Sequence, residues 1–173
     1  MEKNTVSAIY DIVKKANSIC ASVSGLVLLF ITFSIFVDVF FRYVLNRPSR
    51  WVTEVSGYLL LYLIFLATSY TLEKGVHIRV TFISDLFKFK MKRFLELVGS
   101  LFAVIFCFVL LWQTSLLTWE AYRDDWIAPT MLSVRYYYIY VVMAFGSFLL
   151  FLTTLFKTIM TFVETEPQVS EDE

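Results

Sequence analysis

The chain reads as an all-α integral membrane protein, with four transmembrane helices and a short amphipathic interfacial helix between the second and third. Three observations predict this. Hydrophobic residues make up 58% of the 173 and charged residues 17%, whereas a soluble domain carries about 25% charged residues. Four apolar stretches are each long enough to cross a hydrocarbon core about 30 Å thick, which takes about 20 helical residues. No segment alternates in the roughly ten-residue pattern of a membrane β-barrel. Lipid offers no partner to backbone N–H and C=O groups, so a spanning segment of this kind must be helical.

The predicted membrane domain is 1–163, followed by an acidic tail, 164–173. The first span is placed at 18–43. Its apolar run from Ser18 to Val37 is longer than the roughly 7–15 residues of a cleaved signal, so it is read as a retained helix. Asn46-Arg-Pro-Ser49 then breaks the chain, because Pro48 lacks an N–H and disfavours helix in the residue before it. The second span is placed at 51–72. A middle segment, 78–91, sets Phe82, Ile83, Leu86 and Phe87 at helical spacing with Asp85, Lys88 and Lys90 on other faces, which predicts the interfacial helix. The third span is placed at 94–119, Ala128-Pro129 interrupts the chain, and the fourth span is placed at 136–156. The tail carries five acidic residues and Pro167, a composition that favours a solvated, disordered segment.

Basic residues set the expected orientation. Lys3, Lys14, Lys15, Lys74, Arg79, Lys88, Lys90, Lys92, Arg93 and Lys157 fall on the side of the two termini, ten in all, against five on the other side: Arg42, Arg47, Arg50, Arg123 and Arg135. The positive-inside rule therefore puts both termini in the cytoplasm. Tyr136, Tyr137, Tyr138 and Tyr140, with Trp51 and Trp126, form the matching outer aromatic belt, where an apolar ring with a polar edge is at home.

Several function classes are excluded or weakened by composition. Formal net charge is zero, so no basic field awaits nucleic acid. Cys20 and Cys107 lie in separate apolar runs without disulfide or zinc spacing. His77 is the only histidine, which leaves no bis-histidine haem and no multi-histidine metal site. No glycine-rich phosphate loop appears. The midplane stretches 26–35, 59–66 and 103–111 lack ionisable groups, although a path for an organic anion would need polar or cationic side chains at that depth. Neither an active site nor a cofactor is expected.

The charged residues that remain are candidates for structure and for contacts. Asp38 and Arg42 are four apart near the outer end of the first span and so share a helix face. They form either a salt bridge or a proton or ion site. Arg50 and Glu54 repeat that spacing beside Trp51, with Glu54 placed to complement the helix dipole or to reach Arg42 across the short loop. Gly75, His77 and Arg79 sit together after the second span. The outer residues Arg47, Arg50, Arg123, Asp124, Asp125 and Trp126 suit either solvation or docking, since Arg and Trp are favoured in interfaces.

Three of these segments, Phe40-Phe-Arg-Tyr43, Trp51-Val-Thr-Glu54 and Gly75-Val-His-Ile-Arg-Val80, give the chain its family likeness. In their order, spacing and four-span frame over about 15–160, the chain resembles the small membrane subunit of tripartite ATP-independent periplasmic (TRAP) transporters. Thr81 departs from the acidic residue that often follows in the family. The resemblance implies a large multi-span membrane subunit as partner, which carries the sodium and substrate sites and moves as an elevator. It also implies a periplasmic binding protein that delivers an organic acid of dicarboxylate or sialic-acid type. The small subunit then braces the large one in the bacterial inner membrane, among lipids, and helps receive the binding protein. Two other classes compete: an oligomeric proton-coupled exporter using Asp38, and a redox-enzyme anchor, which the lone histidine disfavours.

Overall fold

A computed structural model of the chain describes residues 2–46, 49–74 and 89–163, with side chains described over 10–46, 49, 51–74 and 98–159. It contains four long helices: α1 (Glu2–Leu45), α2 (Arg50–Glu73), α3 (Phe89–Arg123) and α4 (Tyr136–Val163). Each is long and apolar enough to cross a membrane, the four candidate spans being Tyr10–Leu45, Trp51–Glu73, Val98–Arg123 and Tyr136–Ile159. The chain is a multi-pass helical membrane protein.

α1 extends back to Glu2, beyond the span placed at 18–43, and the reason is local: no Gly or Pro interrupts residues 2–17, so nothing stops the helix from propagating. It ends at Asn46, whose φ of 51° is left-handed, a conformation that a short polar side chain tolerates. Arg42 and Arg123 occupy the last turns of α1 and α3, where cations oppose the helix dipole. Of the interfacial helix expected at 78–91, residues 89–91 open α3 and the rest lies outside the described residues, as does the acidic tail.

The helices form a row. α1 packs on α2, α2 on α4, and α4 on α3, while α1 meets α4 only slightly. α2 and α4 run parallel, as three successive contacts record. Tyr62 Oη donates to Tyr138 O at 3.0 Å, Ser69 Oγ donates to Gly146 O at 3.5 Å, and Lys157 Nζ donates to Leu72 O at 2.9 Å. α3 lies antiparallel to α4, with Tyr122 against Tyr137, Phe108 against Phe151, and Cys107 Sγ 3.4 Å from Thr154 Oγ1. An α1–α4 ring contact, Tyr10 with Phe156, lies at the end where α1 begins.

Among the described residues, the buried positions are divided between apolar side chains such as Ile31, Ile139 and Leu149 and small polar ones. Asn17, Ser24, Ser69, Thr114, Ser147, Thr153 and Thr154 are buried between helices, while Leu26, Leu29, Phe33, Phe36, Phe102 and Phe106 face outward. Membrane helices attract one another through close packing of small residues rather than through apolar burial, since lipid tails are as apolar as leucine. Apart from Ser69, which reaches Gly146 O on α4, the buried hydroxyls are satisfied inside their own helices: Thr153 Oγ1 donates to Leu149 O, Thr154 Oγ1 to Leu150 O and Ser147 Oγ to Met143 O, each at 2.8 Å. Gly146 marks the tightest crossing. A Cβ added there would stand 2.6 Å from Phe65 O and 2.8 Å from Phe65 C, so only glycine lets α4 lie this close to α2.

Candidate functional site

Three polar constructions stand out on the row, and none resembles a catalytic centre. The first is at the α1–α2 turn. Asp38, only 5% exposed, accepts from Arg42 Nη2 at 2.9 Å and from the backbone N–H of Ser49, also at 2.9 Å. Ser49 is the residue before α2, and its own side chain makes no capping bond. Asp38 instead accepts from the N–H of the N-cap residue itself, the part that an acidic N3 side chain plays in a capping box. Its carboxylate satisfies an orphan donor at the α2 N-terminus, where the helix dipole favours negative charge. The α1–α2 hairpin is thus closed by one carboxylate holding two partners.

The i,i+4 pairing of Asp38 with Arg42 is the one read from spacing; the bond to Ser49 is not, since it is a backbone contact eleven residues away. Glu54 accepts from Tyr58 Oη at 3.3 Å, while Arg42 is engaged by Asp38. Trp51 is half exposed on the first turn of α2. Arg50 opens α2, its side chain lying outside the described set. Arg47, Gly75, His77 and Arg79 fall outside the described residues.

The second construction was not foreseen from the sequence. Asn17 on α1 is fully buried and ties three helices together at the opposite end of the row. Its Nδ2 donates to Thr153 Oγ1 on α4 at 2.9 Å and to Glu73 Oε2 on α2 at 3.2 Å. Among the described residues, buried Asn17 Oδ1 has no hydrogen-bond partner. The available signal was positional: Asn17, Glu73 and Thr153 lie at comparable depth near the same ends of three spans. Interhelical hydrogen bonds of this kind contribute roughly 0.6 kcal/mol each in membrane proteins, so the knot sets register more than it sets stability.

The third is the connection between α3 and α4. Ile127 and Arg135 pair as an isolated antiparallel bridge, Ala128 N–H donates to Val134 O at 2.9 Å and Tyr136 N–H donates to Trp126 O at 2.9 Å. Asp125 and Ser133 take left-handed φ of 46° and 45° to make the bends. Asp125 pairs with Arg135 at 3.3 Å and Arg123 with Asp124 at 4.0 Å, all four side chains exposed. Exposed pairs like these are worth roughly 0–1 kcal/mol. Of the docking candidates, Arg123, Asp124, Asp125 and Trp126 therefore share one compact hairpin. Among the described residues no three His, Cys, Asp or Glu come together.

What the arrangement offers chemically is contact surface. Most of each span is unburied, and its exposed side chains are largely apolar, Leu, Ile, Val, Phe and Trp among them. Comparison with known proteins gives one result of the same sense. A family model for tripartite ATP-independent periplasmic transporters, DctQ component, matches residues 31–164, a stretch that includes the Asp38 clamp, α2, α3 and the hairpin. No curated protein matches the chain.

Proposed function

We propose that this chain, which belongs to the DctQ component family of tripartite ATP-independent periplasmic transporters, braces the large elevator subunit of a sodium-coupled transporter and performs no chemistry of its own. The transporter takes up an organic acid of dicarboxylate or sialic-acid type across the bacterial inner membrane. Sodium and substrate bind on the large subunit, and both termini of this chain face the cytoplasm, as its basic residues favour. Arg47, Arg50 and the charged base of the α3–α4 hairpin then lie on the periplasmic side, where the binding protein docks.

One observation carries this reading: four helices arranged in a row whose outward side chains are largely apolar. A transport path needs helices that enclose polar side chains near the midplane, whereas a row presents surface. Such a surface suits packing against another membrane protein, broadening its footprint and anchoring the parts that stay still while others move. Asp38 speaks against the exporter alternative, since its carboxylate already holds a guanidinium and a backbone N–H, leaving little role as a proton carrier.

The test is extraction of the full chain in mild detergent, followed by mass spectrometry of what accompanies it. The expected companion is a far larger multi-span membrane protein in constant proportion. Recovery of the chain only as a homo-oligomer, with no such companion, would refute the bracing role and favour the exporter.

A further inference from the structure

The proposed function uses the charged base of the α3–α4 hairpin but not its tip. We infer that the tip, residues 126–134, seats in the interfacial layer of the lipid bilayer, making this connection a membrane-lying hairpin rather than a solvated loop. The inference depends only on the chain spanning a membrane, not on the transport reading.

Four observations lead there. First, no ionisable residue occurs between Asp125 and Arg135, and the apolar side chains of the tip are outward: Met131 is 72% exposed, Ile127 52% and Leu132 43%. Second, the hairpin turns part of its backbone polarity inward. The N–H groups of Trp126, Ala128, Ser133 and Tyr136 donate to Ala121 O, Val134 O, Thr130 O and Trp126 O, and Pro129 has no N–H to satisfy. Ser133 Oγ donates to Thr130 O as well. Among the described residues, the N–H groups of Ile127, Thr130, Met131, Leu132 and Val134 make no backbone bond, which suits the hydrated headgroup layer and not the hydrocarbon core. Third, the charges that flank the tip neutralise each other, Asp125 against Arg135 at 3.3 Å.

Fourth, the tip continues an aromatic belt. Trp119, Tyr122, Trp126 and Tyr138 are all exposed at this end of α3 and α4, where indole and phenol rings mark the headgroup level. The Tyr136–Trp126 backbone bond holds the start of the hairpin to the first turn of α4. The chemistry of the surface is that of an interfacial anchor, an apolar face with polar neighbours at its rim. Arg123 and Asp124 remain at the watery base, free for a soluble partner.

The experiment places a nitroxide on Met131→Cys, and separately on Leu132→Cys, in a Cys20→Ser, Cys107→Ser background, with Asp124→Cys as the reference. The full chain, with any membrane subunit that accompanies it, is reconstituted into vesicles of phosphatidylethanolamine and phosphatidylglycerol. Collision with oxygen, which concentrates in lipid, is compared with collision with a water-soluble nickel chelate. At 131 and 132 the oxygen-to-nickel ratio is expected to exceed that at 124 several-fold. Labels at 131 and 132 that meet the chelate as freely as the label at 124 would overturn the inference in favour of a solvated loop. Labels shielded from both reagents would overturn it in favour of a protein partner. Two label sites guard against one substitution disturbing the hairpin.

Discussion

Gly146→Ala is expected to destabilise the isolated chain by about 1–3 kcal/mol, the usual cost of overpacking a tight contact, and Gly146→Val by more. The added Cβ meets Phe65 O at 2.6 Å and Phe65 C at 2.8 Å. These are backbone atoms, which cannot swing aside as a side-chain end can, so relief requires α2 and α4 to move apart. That contact joins the α1–α2 half of the row to the α3–α4 half, because α1 and α4 meet only slightly. Separation there would also stretch the Ser69–Gly146 bond beside it. Thermal unfolding of the purified chain in mild detergent measures the loss. Gly57→Ala is the control, since nothing lies within 4 Å of a Cβ at that position. An unchanged midpoint for Gly146→Ala would mean that the two halves are not held by this crossing.

Asp38→Ala is expected to lower the thermal midpoint as well, and for a different reason. It removes the acceptor for the Ser49 N–H and leaves the Arg42 guanidinium without its partner. A buried donor deprived of its acceptor bears a desolvation penalty, and a cation that has lost its partner near the membrane is costly in the same way. Asp38→Asn should fall between wild type and Asp38→Ala, because an amide oxygen still accepts from Ser49. Neutralising Arg42 together with Asp38 should cost less than the sum of the two single changes, as expected of groups in direct contact. Thermal midpoints of the four proteins, compared as a double-mutant cycle, give the coupling. The exporter alternative makes the opposite forecast: Asp38→Asn would leave stability untouched and abolish activity.

Much of the fold was legible because hydropathy and length decide spans directly, and lipid then allows only helix. The pairing of Asp38 with Arg42 was legible too, since i,i+4 spacing fixes a shared face. What could not be read has a common physical cause. The side-by-side order of α1, α2, α4 and α3 depends on contacts between spans far apart in the chain, and all spans are equally apolar. Gly146 escapes a search for paired glycines because its neighbour is the backbone of Phe65, not another glycine. Asn17 reads as part of a polar entry to the first span, and only the helical continuation of α1 back to Glu2 carries it against Thr153 and Glu73. In the hairpin, Asp125 and Ser133 are ordinary turn residues, but nothing in the sequence says that both adopt left-handed φ and close the loop on itself. The segments with Gly75, His77 and Arg79, which carried part of the family likeness, acquire no structural account, being outside the described residues.

The central claim is that this chain completes a transporter without carrying solute itself. The direct measurement is solute uptake into proteoliposomes, using the solute that the whole assembly carries in the presence of its binding protein and a sodium gradient. Vesicles holding this chain alone should accumulate nothing, vesicles holding the large subunit alone should transport poorly, and vesicles holding both should take up solute. Uptake by this chain alone, or full activity when it is left out, would contradict the account.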